Sequence, residues 1–449
     1  MAVGVNQRAL AERLIDRATR AGATEAEVFA QVGKRVHIHV SRGRIENLTR
    51  AGAKGVGLRV LLDGRLAFMS SSDFTDEILD DLVRETVCLA SQASPEPYNG
   101  LPDPSVAQEV LGIYDSELTE VPFEKKIDLV RTLDQQVFET EPRIQNTEGA
   151  VYSDGLVESL IVNSKGLVHA WKESFVSMVV SPVAERGEMK QVAHAWTSTR
   201  RFRDLKSPRE VAAEACRRAH LLLGGEPVAT QKVPIVMDSR AGVALFEGLA
   251  EAVNGENVYR GRSFLSDKLN RRIGSPWVNV IDDGTVRGGM ASSPVDGEGV
   301  PTSRKSVIDK GVLGGFLYDT YTARKARTVS TGNAARDSYA SRPLIGSSNL
   351  YLVAGEKTLD EVISEVDRGL YVLRTLGGGP NVVTGDFSAG AAGVWIQDGK
   401  LTRPVAKVTI AASMFEMLEG IDAVANDLVL DGPTVTPSYR IREMTVSGL

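Results

Sequence analysis

The sequence predicts an α+β fold built in two halves. The hydrophobic period is helical at the start of the chain and changes to two after Glu25. Strand patterns then follow one another directly, whereas a parallel sheet would need a helix between successive strands. Gly224-Gly225 interrupts the pattern near the middle of the 449 residues, and Gly-rich strand and loop sequence follows it. We therefore divide the chain into domains at residues 1–224 and 225–449.

The first half opens with a helix and continues with strands. Asn6 is a candidate N-cap for this helix, and Gly22 is a candidate end. The segments EVFAQV, RVHIHV and AKGVGLRVLL alternate as strands do, and Asp63-Gly64 predicts a tight turn into RLAFMS. A second helix is predicted from about Phe74 to Ala93, so this part of the domain mixes helices with antiparallel strands.

A Pro-rich connector near residues 95–107 separates these elements from the next helix, which Pro122 can open. Residues 143–199 have the pattern of a meander of long strands. Turns are predicted there at Ser153-Asp154-Gly155 and at residues 163–166, because Gly, Asn, Asp and Ser favour turns.

One helix closes the first half, and one more is predicted in the second. The first runs from Pro208 to Leu223, where Gly224 can stop it. The other covers about Thr358 to Tyr371, within a half that otherwise has the pattern of strands and loops.

Composition excludes several classes of protein. Hydrophobic residues make up 42% and charged residues 24%, as in ordinary soluble domains. The formal net charge of -6 provides no basic surface for nucleic acid. No apolar run reaches the roughly 18–20 residues of a membrane helix, and the first residues lack the apolar segment of an export signal. We expect a cytoplasmic protein with neither a nucleic-acid nor a membrane partner.

Histidine and cysteine are confined to the first half. The histidines are His37, His39, His169, His194 and His220, and the cysteines are Cys88 and Cys216. We expect both cysteines to be small buried hydrophobes on helices. Residues 221–449 therefore cannot build a His- or Cys-ligated zinc site, or a Ser-His-Asp triad, without residues from elsewhere.

His37 and His39 alternate on one predicted strand, so both side chains point to the same face. With Glu46 as a third ligand they could begin a metal site, which would make the chain an independent metallohydrolase. The simpler interpretation is an exposed polar strand face. We favour it, because a catalytic zinc needs three protein ligands in a defined geometry.

Long segments of the second half resemble the TldD/PmbA family, also called the modulator-of-DNA-gyrase family. They are DSRAGVALFEGLAEAVNGENVYRGRSFL, GEGVPTSRKSVIDKGVLGGFLYDTYTARK, STGNA at Ser330 to Ala334, and VTGDFSAGAAGVWIQDGKLTRPVAKVTIA. The first half fits as well, through AGATEAEVF and GVGLRV. The resemblance implies a two-domain fold, with long antiparallel strands in the N-terminal domain and a strand-rich α+β C-terminal domain.

The resemblance also bears on zinc. In the TldD branch of the family, a helix carries His-Glu-x-x-x-His, and a cysteine near the C-terminus completes the zinc site. In this sequence Phe246 occupies the first histidine position and Glu251 the second, so that only Glu247 remains. The C-terminal stretch has no cysteine. The chain therefore resembles the TldE (PmbA) branch, which lacks the zinc motif.

This resemblance implies a non-catalytic subunit of a heterodimeric zinc metallopeptidase that acts on unfolded peptides. A TldD-like partner would supply the zinc, and this chain would hold no metal or cofactor and be inactive alone. The alternative is a homodimeric peptide-binding or scaffold protein without hydrolysis.

The helix that carries Phe246 is the degenerate metallopeptidase helix. Without a metal, Glu247 has no water to activate and is expected to be a surface or interface carboxylate, on the same helix face as Glu251. Phe246 is expected to pack. Candidates to face a peptide or a partner are Asn257, Arg260 and Asp386.

Overall fold

The computed structural model describes residues 3–448, and its first half is an antiparallel sheet with helices on one face. The strands follow the order β3-β2-β1-β4-β5-β6, with β7 beside β5. The elements are α1 (Val3–Arg20), β1 (Glu25–Ser41), β2 (Arg44–Leu62), β3 (Arg65–Ser71), α2 (Asp76–Gln92), α3 (Phe123–Thr140), β4 (Ile144–Asn163), β5 (Val168–Arg186), β6 (Met189–Val192), β7 (Ala195–Thr199) and α4 (Pro208–Leu222).

Both faces of this sheet are covered. Val28 and Ile38 of β1 have the same parity, so they share a face. Helices α1 and α2 cover that face at one end, and α3 and α4 cover it at the other. Phe29 and Ile161 lie on the opposite face, where Tyr339 of the second half packs against them. The two halves of the chain therefore meet across the sheet.

The turn predicted at Ser153-Asp154-Gly155 is wrong, because these residues belong to strand β4. These residues lie inside a continuous strand that pairs with β1 on one side and β5 on the other. The buried Asp154 carboxylate accepts from Lys126 Nζ at 2.5 Å, and a Cβ on Gly155 would lie 2.3 Å from the Phe175 ring. Asp154 therefore takes part in a buried ion pair, and Gly155 leaves room for the Phe175 ring.

Within residues 225–448, two main sheets lie around helix α5, beside a small two-stranded sheet. The elements of this half are β8 (Gln231–Met237), α5 (Val243–Ala252), α6 (Gly255–Tyr259), β9 (Val280–Asp283), β10 (Arg304–Asp309), β11 (Val312–Leu313), α7 (Thr320–Lys325), β12 (Ala334–Ala335), β13 (Leu344–Ile345), β14 (Asn349–Leu352), α8 (Leu359–Ser364), β15 (Arg368–Pro380), β16 (Asp386–Gln397), β17 (Lys400–Ser413), α9 (Met414–Gly420), β18 (Ile421–Val424), β19 (Thr434–Val435) and β20 (Tyr439–Ser447).

The larger of these sheets closes on itself. Its strands follow the order β17-β16-β15-β8-β20-β18, and β17 also pairs with β20. The smaller sheet has the order β11-β10-β9-β14-β19. Helix α5 contacts β15 of the larger sheet and both β14 and β19 of the smaller one. The helix is therefore packed between the two main sheets of the second half.

Three other expectations need correction. The helix predicted to reach Tyr371 ends at Ser364, because the apolar residues from Leu370 onward form a buried parallel strand beside β8. Helix α1 begins at Val3, so Asn6 lies within it and is not its cap. Cys88 is exposed, whereas Cys216 is buried as expected. Among the helices of residues 3–448, none combines the length and the apolar character needed to cross a bilayer.

Candidate functional site

Helix α5 presents one apolar face to the core. Leu245, Phe246 and Leu249 are fully buried, as the 3.6-residue period requires for one side of a packed helix. The Phe246 ring meets Tyr439 edge-on, with ring centroids 5.6 Å apart. The Tyr439 hydroxyl donates to the Gly242 carbonyl oxygen at 3.0 Å, just before the helix begins. At the first position of the degenerate motif, the Phe246 ring is thus buried against the Tyr439 ring.

The side chains at this position do not fit a zinc ion. Zinc in proteins is bound by histidine nitrogen, cysteine sulfur or carboxylate oxygen, and Phe246 offers none of these atoms. Glu247 and Glu251 are the remaining oxygen donors of the motif, and both are exposed. Residues 3–448 hold no group of three or more His, Cys, Asp or Glu side chains that could bind a metal ion. We therefore derive no catalytic step through zinc in this chain.

Glu247 lines a cavity of about 390 Å³ between the two halves. Trp196 of β7 forms one wall, and the Arg240 guanidinium lies 3.7 Å from the centroid of its ring. Arg240 also pairs with Asp431 at 2.8 Å. The cavity combines an aromatic surface with charged and hydroxyl groups.

Glu251 lines a second cavity, of about 660 Å³. Asn257 stands beside it and donates from Nδ2 to the Glu251 carbonyl oxygen at 2.9 Å and to its Oε2 at 3.3 Å. Glu96 and Asn99 of the Pro-rich connector form part of the opposite wall. Glu247 and Glu251, four residues apart on helix α5, thus line different cavities.

Arg260 and Asp386 lie outside both cavities. Arg260 is exposed and forms an ion pair from Nε to Glu256 at 2.6 Å. Asp386, the first residue of β16, accepts a hydrogen bond from the Thr384 hydroxyl at 2.6 Å. Of the three candidates named for a peptide or partner contact, Asn257 lines the cavity beside Glu251, and Arg260 contacts the lining through Glu256.

His37 and His39 make separate local hydrogen bonds. His37 Nδ1 lies 3.0 Å from Ser153 Oγ, and His39 Nε2 lies 3.1 Å from the Glu148 carbonyl oxygen. Glu46 lies on the exposed part of β2. These contacts agree with a polar strand face, and within residues 3–448 no group of three His, Cys, Asp or Glu side chains forms around this pair.

A buried cluster of carboxyl groups, which was not predicted from the sequence, lies where the halves meet. Asp296 and Glu298 are buried, and Glu298 accepts from Arg59 of β2 at 2.7 Å. Burial and the neighbouring Glu298 charge raise the pKa of Asp296 to about 7. Burial opposes ionisation of Glu298, yet the Arg59 charge and bonds from Thr320 lower its pKa below the usual value. The sequence signal that could have predicted this cluster is the close spacing of Asp296 and Glu298 in a Gly-rich segment.

Three sequence profiles of one family match successive parts of the chain. They describe domain 1, the central domain and the C-terminal domain of the PmbA/TldA metallopeptidases, at residues 26–90, 116–223 and 230–448. The chain belongs to the PmbA/TldD family. The family assignment made from the sequence is confirmed.

Relatives of the family support this along the whole length. The metalloprotease PmbA of Escherichia coli O157:H7 is 28% identical over 429 residues, covering 94% of this chain and 92% of that protein. A Bacteroides thetaiotaomicron structure, named as a candidate modulator of DNA gyrase, superposes with a TM-score of 0.92 at 26% identity, over all of both chains. TldE of Thermococcus kodakarensis shares the fold, with a TM-score of 0.88 at 23% identity over 98% of this chain and all of that one. The predicted α+β fold of the PmbA/TldD family is confirmed.

Proposed function

We propose that this chain is the non-catalytic, TldE/PmbA-like subunit of a heterodimeric zinc metallopeptidase. A TldD-like paralogue supplies the zinc, and the pair degrades or processes unfolded peptides in the cytoplasm. One observation supports the proposal above the others. Helix α5 buries Phe246 against Tyr439 at the position where the family resemblance puts a zinc-binding histidine.

The chemistry of amide hydrolysis explains why this observation matters. A carboxylate activates water for attack on a peptide bond when a metal ion lowers the pKa of that water. Glu247 is present, but neither Phe246 nor the adjacent Tyr439 ring can hold the metal beside it. The chain therefore contributes surface and shape to the pair, and its partner contributes the reacting groups.

The two cavities beside α5 give this subunit a place to hold substrate. Both lie between the halves, and together they flank the exposed carboxylates of Glu247 and Glu251. An extended peptide bound mainly through its backbone shows low sequence preference, as the removal of unfolded chains requires. Asn257 and Arg240 offer amide and guanidinium donors to peptide carbonyl groups at the two sites.

Reconstitution tests the proposal. This chain, the TldD-like paralogue from the same cells, and an equimolar mixture are each assayed on an unstructured peptide, and zinc is measured in each sample. We expect the pair to hydrolyse the peptide, with the zinc bound to the paralogue. Chelator-sensitive hydrolysis by this chain alone would overturn the proposal, and so would full activity of the paralogue without it.

A further inference from the structure

The larger of the two cavities beside α5, of about 660 Å³, has an acidic lining, and we call it the Glu251 cavity. Two guanidinium groups line it, those of Arg59 and Arg342, against five carboxyl groups. The carboxyl groups belong to Glu96, Glu251, Glu256, Glu298 and Asp319. A concave surface with an excess of one sign of charge attracts ligands of the opposite sign.

Three of the five carboxyl groups already have a cation of this chain beside them. The pairs are Glu298 with Arg59 at 2.7 Å, Glu256 with Arg260 at 2.6 Å, and Glu96 with Lys325 at 3.6 Å. Glu251 has the Asn257 amide at 3.3 Å, and Asp319 has the backbone N–H and the hydroxyl of Thr322. Within residues 3–448, neither Glu251 nor Asp319 forms an ion pair.

Asp319 is a buried carboxyl group with one oxygen left over. Its side chain accepts twice from Thr322 through Oδ1, at 2.8 Å and 2.7 Å, and so caps helix α7. The residue is only 9% exposed, and in the part of the chain that the structure describes Oδ2 accepts no hydrogen bond. Burial and the Glu298 charge raise the pKa of Asp319. A cation in the cavity would favour the ionised carboxylate, since opposite charges stabilise each other there.

The buried cations next to this cavity are matched by other carboxylates. Arg59 pairs with both Glu27 and Glu298. Arg336 pairs with Glu27. Two guanidinium groups thus neutralise two carboxylates, which leaves no cation in this cluster for a further acid. Arg342 is exposed, so water and salt screen its charge.

The same cavity offers apolar surface to a long side chain. Leu66, Pro343 and Leu344 line it, and Leu344 is 68% exposed. Lysine and arginine pack their methylene stems along apolar surface and keep the charged end in polar surroundings. An inorganic cation would make no use of this surface, and residues 3–448 hold no group of three metal-binding side chains. The lining therefore favours a basic side chain.

We propose that the Glu251 cavity binds a lysine or arginine side chain of the peptide substrate, with Glu251 and Asp319 as its counter-charges. That the ligand is a peptide rests on the proposed function. The cavity adds a preference for a basic residue at one position of a chain that is otherwise bound through its backbone. Hydrogen bonds between charged groups are stronger than neutral ones, so lysine is preferred over glutamine at this position.

Fluorescence anisotropy on the full-length chain tests this site. Two labelled, unstructured peptides, acetylated and amidated at their ends, differ at one central residue, which is lysine or glutamine. We expect the wild type to bind the lysine peptide at least about tenfold more tightly. Glu251→Gln and Asp319→Asn should each reduce this preference to less than about threefold. Asparagine is itself a good N-cap, so Asp319→Asn removes the charge and keeps the start of α7.

Glu419→Gln is the matched control, because Glu419 is an exposed acid of α9 that does not line the cavity. This variant should keep the preference. Equal binding of the two peptides by the wild type would overturn the proposal, and so would a preference that survives either substitution in a folded variant. Butylammonium should displace the lysine peptide far less than the unlabelled peptide does at equal concentration. Equal displacement would identify free amines as the ligand and would also overturn the proposal.

This binding experiment and the reconstitution assay can fail separately. A lysine preference in this chain, when its mixture with the paralogue hydrolyses nothing, would support the cation site and overturn the proposed function. Hydrolysis by the pair, when this chain shows no lysine preference, would overturn the cation site and support the proposed function.

Discussion

At the scale of single residues, the contact between the Phe246 and Tyr439 rings fixes helix α5 against strand β20. Each ring is fully buried, and the edge-on contact between them is a favoured aromatic geometry. A Cβ on Gly242 would lie 2.5 Å from the Tyr439 ring, so this glycine is needed for the close approach. Gly242 and Phe246 thus form one packed unit with Tyr439, which is remote in sequence, where a metal site would need polar donors.

Glu247 provides a residue-scale prediction about catalysis. In the reconstituted pair, we expect Glu247→Ala in this chain to change kcat/KM for peptide hydrolysis by less than roughly tenfold, because the side chain has no transition-state role. Steady-state kinetics on an unstructured peptide measures the effect. A loss of several orders of magnitude, with assembly intact by gel filtration, would show that Glu247 takes part in the reaction.

At the scale of elements, strand β4 shows why residue types alone misplace a turn. Ser153, Asp154 and Gly155 favour turns, yet β4 has hydrogen-bonded neighbours on both sides. Asp154 is held by Lys126 of helix α3 and by the Tyr152 hydroxyl at 2.7 Å. The buried ion pair therefore ties the helix to the sheet, and it keeps a polar residue in the middle of a strand.

This ion pair leads to a stability prediction. We expect Asp154→Asn to lower the free energy of unfolding by about 3–5 kcal/mol, because it leaves the Lys126 ammonium buried without its counter-charge. Urea denaturation followed by circular dichroism measures the change.

Asp103→Asn is the matched control for this measurement. Asp103 pairs with Lys165 at 3.2 Å, but its side chain is 87% exposed. Its loss should cost less than about 1 kcal/mol. Equal effects of the two variants would contradict a structural role for the buried pair.

At the scale of the whole molecule, buried charges join the two halves. Arg218 of α4 binds Asp238, which follows β8, with Arg218 Nη2 2.6 Å from Asp238 Oδ1, and the Tyr371 hydroxyl donates to the same carboxylate at 2.7 Å. Arg59 of β2 bridges Glu27 of β1 and Glu298 of the second half. Since both clusters cross the junction, separating the halves would expose several paired charges at once.

The pair of Arg218 and Asp238 leads to a prediction about the stability of the whole molecule. We expect Arg218→Ala to lower the free energy of unfolding by about 3–5 kcal/mol, because Asp238 is left buried without a cation. Arg217→Ala is the control, since Arg217 is half exposed and pairs only loosely with Glu214, at 3.5 Å. That variant should stay within about 0.5 kcal/mol of the wild type. A wild-type-like midpoint for Arg218→Ala in urea would show that the junction does not depend on this pair.

The sequence by itself determined the family, the α+β class and most of the elements of the first half. Hydrophobic periodicity is a local property, so helices such as α3 and α4 and the turn at Asp63-Gly64 could be predicted from neighbouring residues alone. The loss of a zinc-binding residue type at Phe246 was also readable, because a phenyl ring has no donor atom and cannot bind a metal wherever it lies.

Only the tertiary structure decided which residues meet. It placed Glu247 and Glu251 in separate cavities, brought Phe246 against Tyr439, and left Arg260 and Asp386 off the linings of both cavities. The helix predicted to reach Tyr371 ended early because a distant strand, β8, paired with the residues that followed it. Burial and pairing between segments remote in sequence override local propensity, and periodicity contains no record of those contacts.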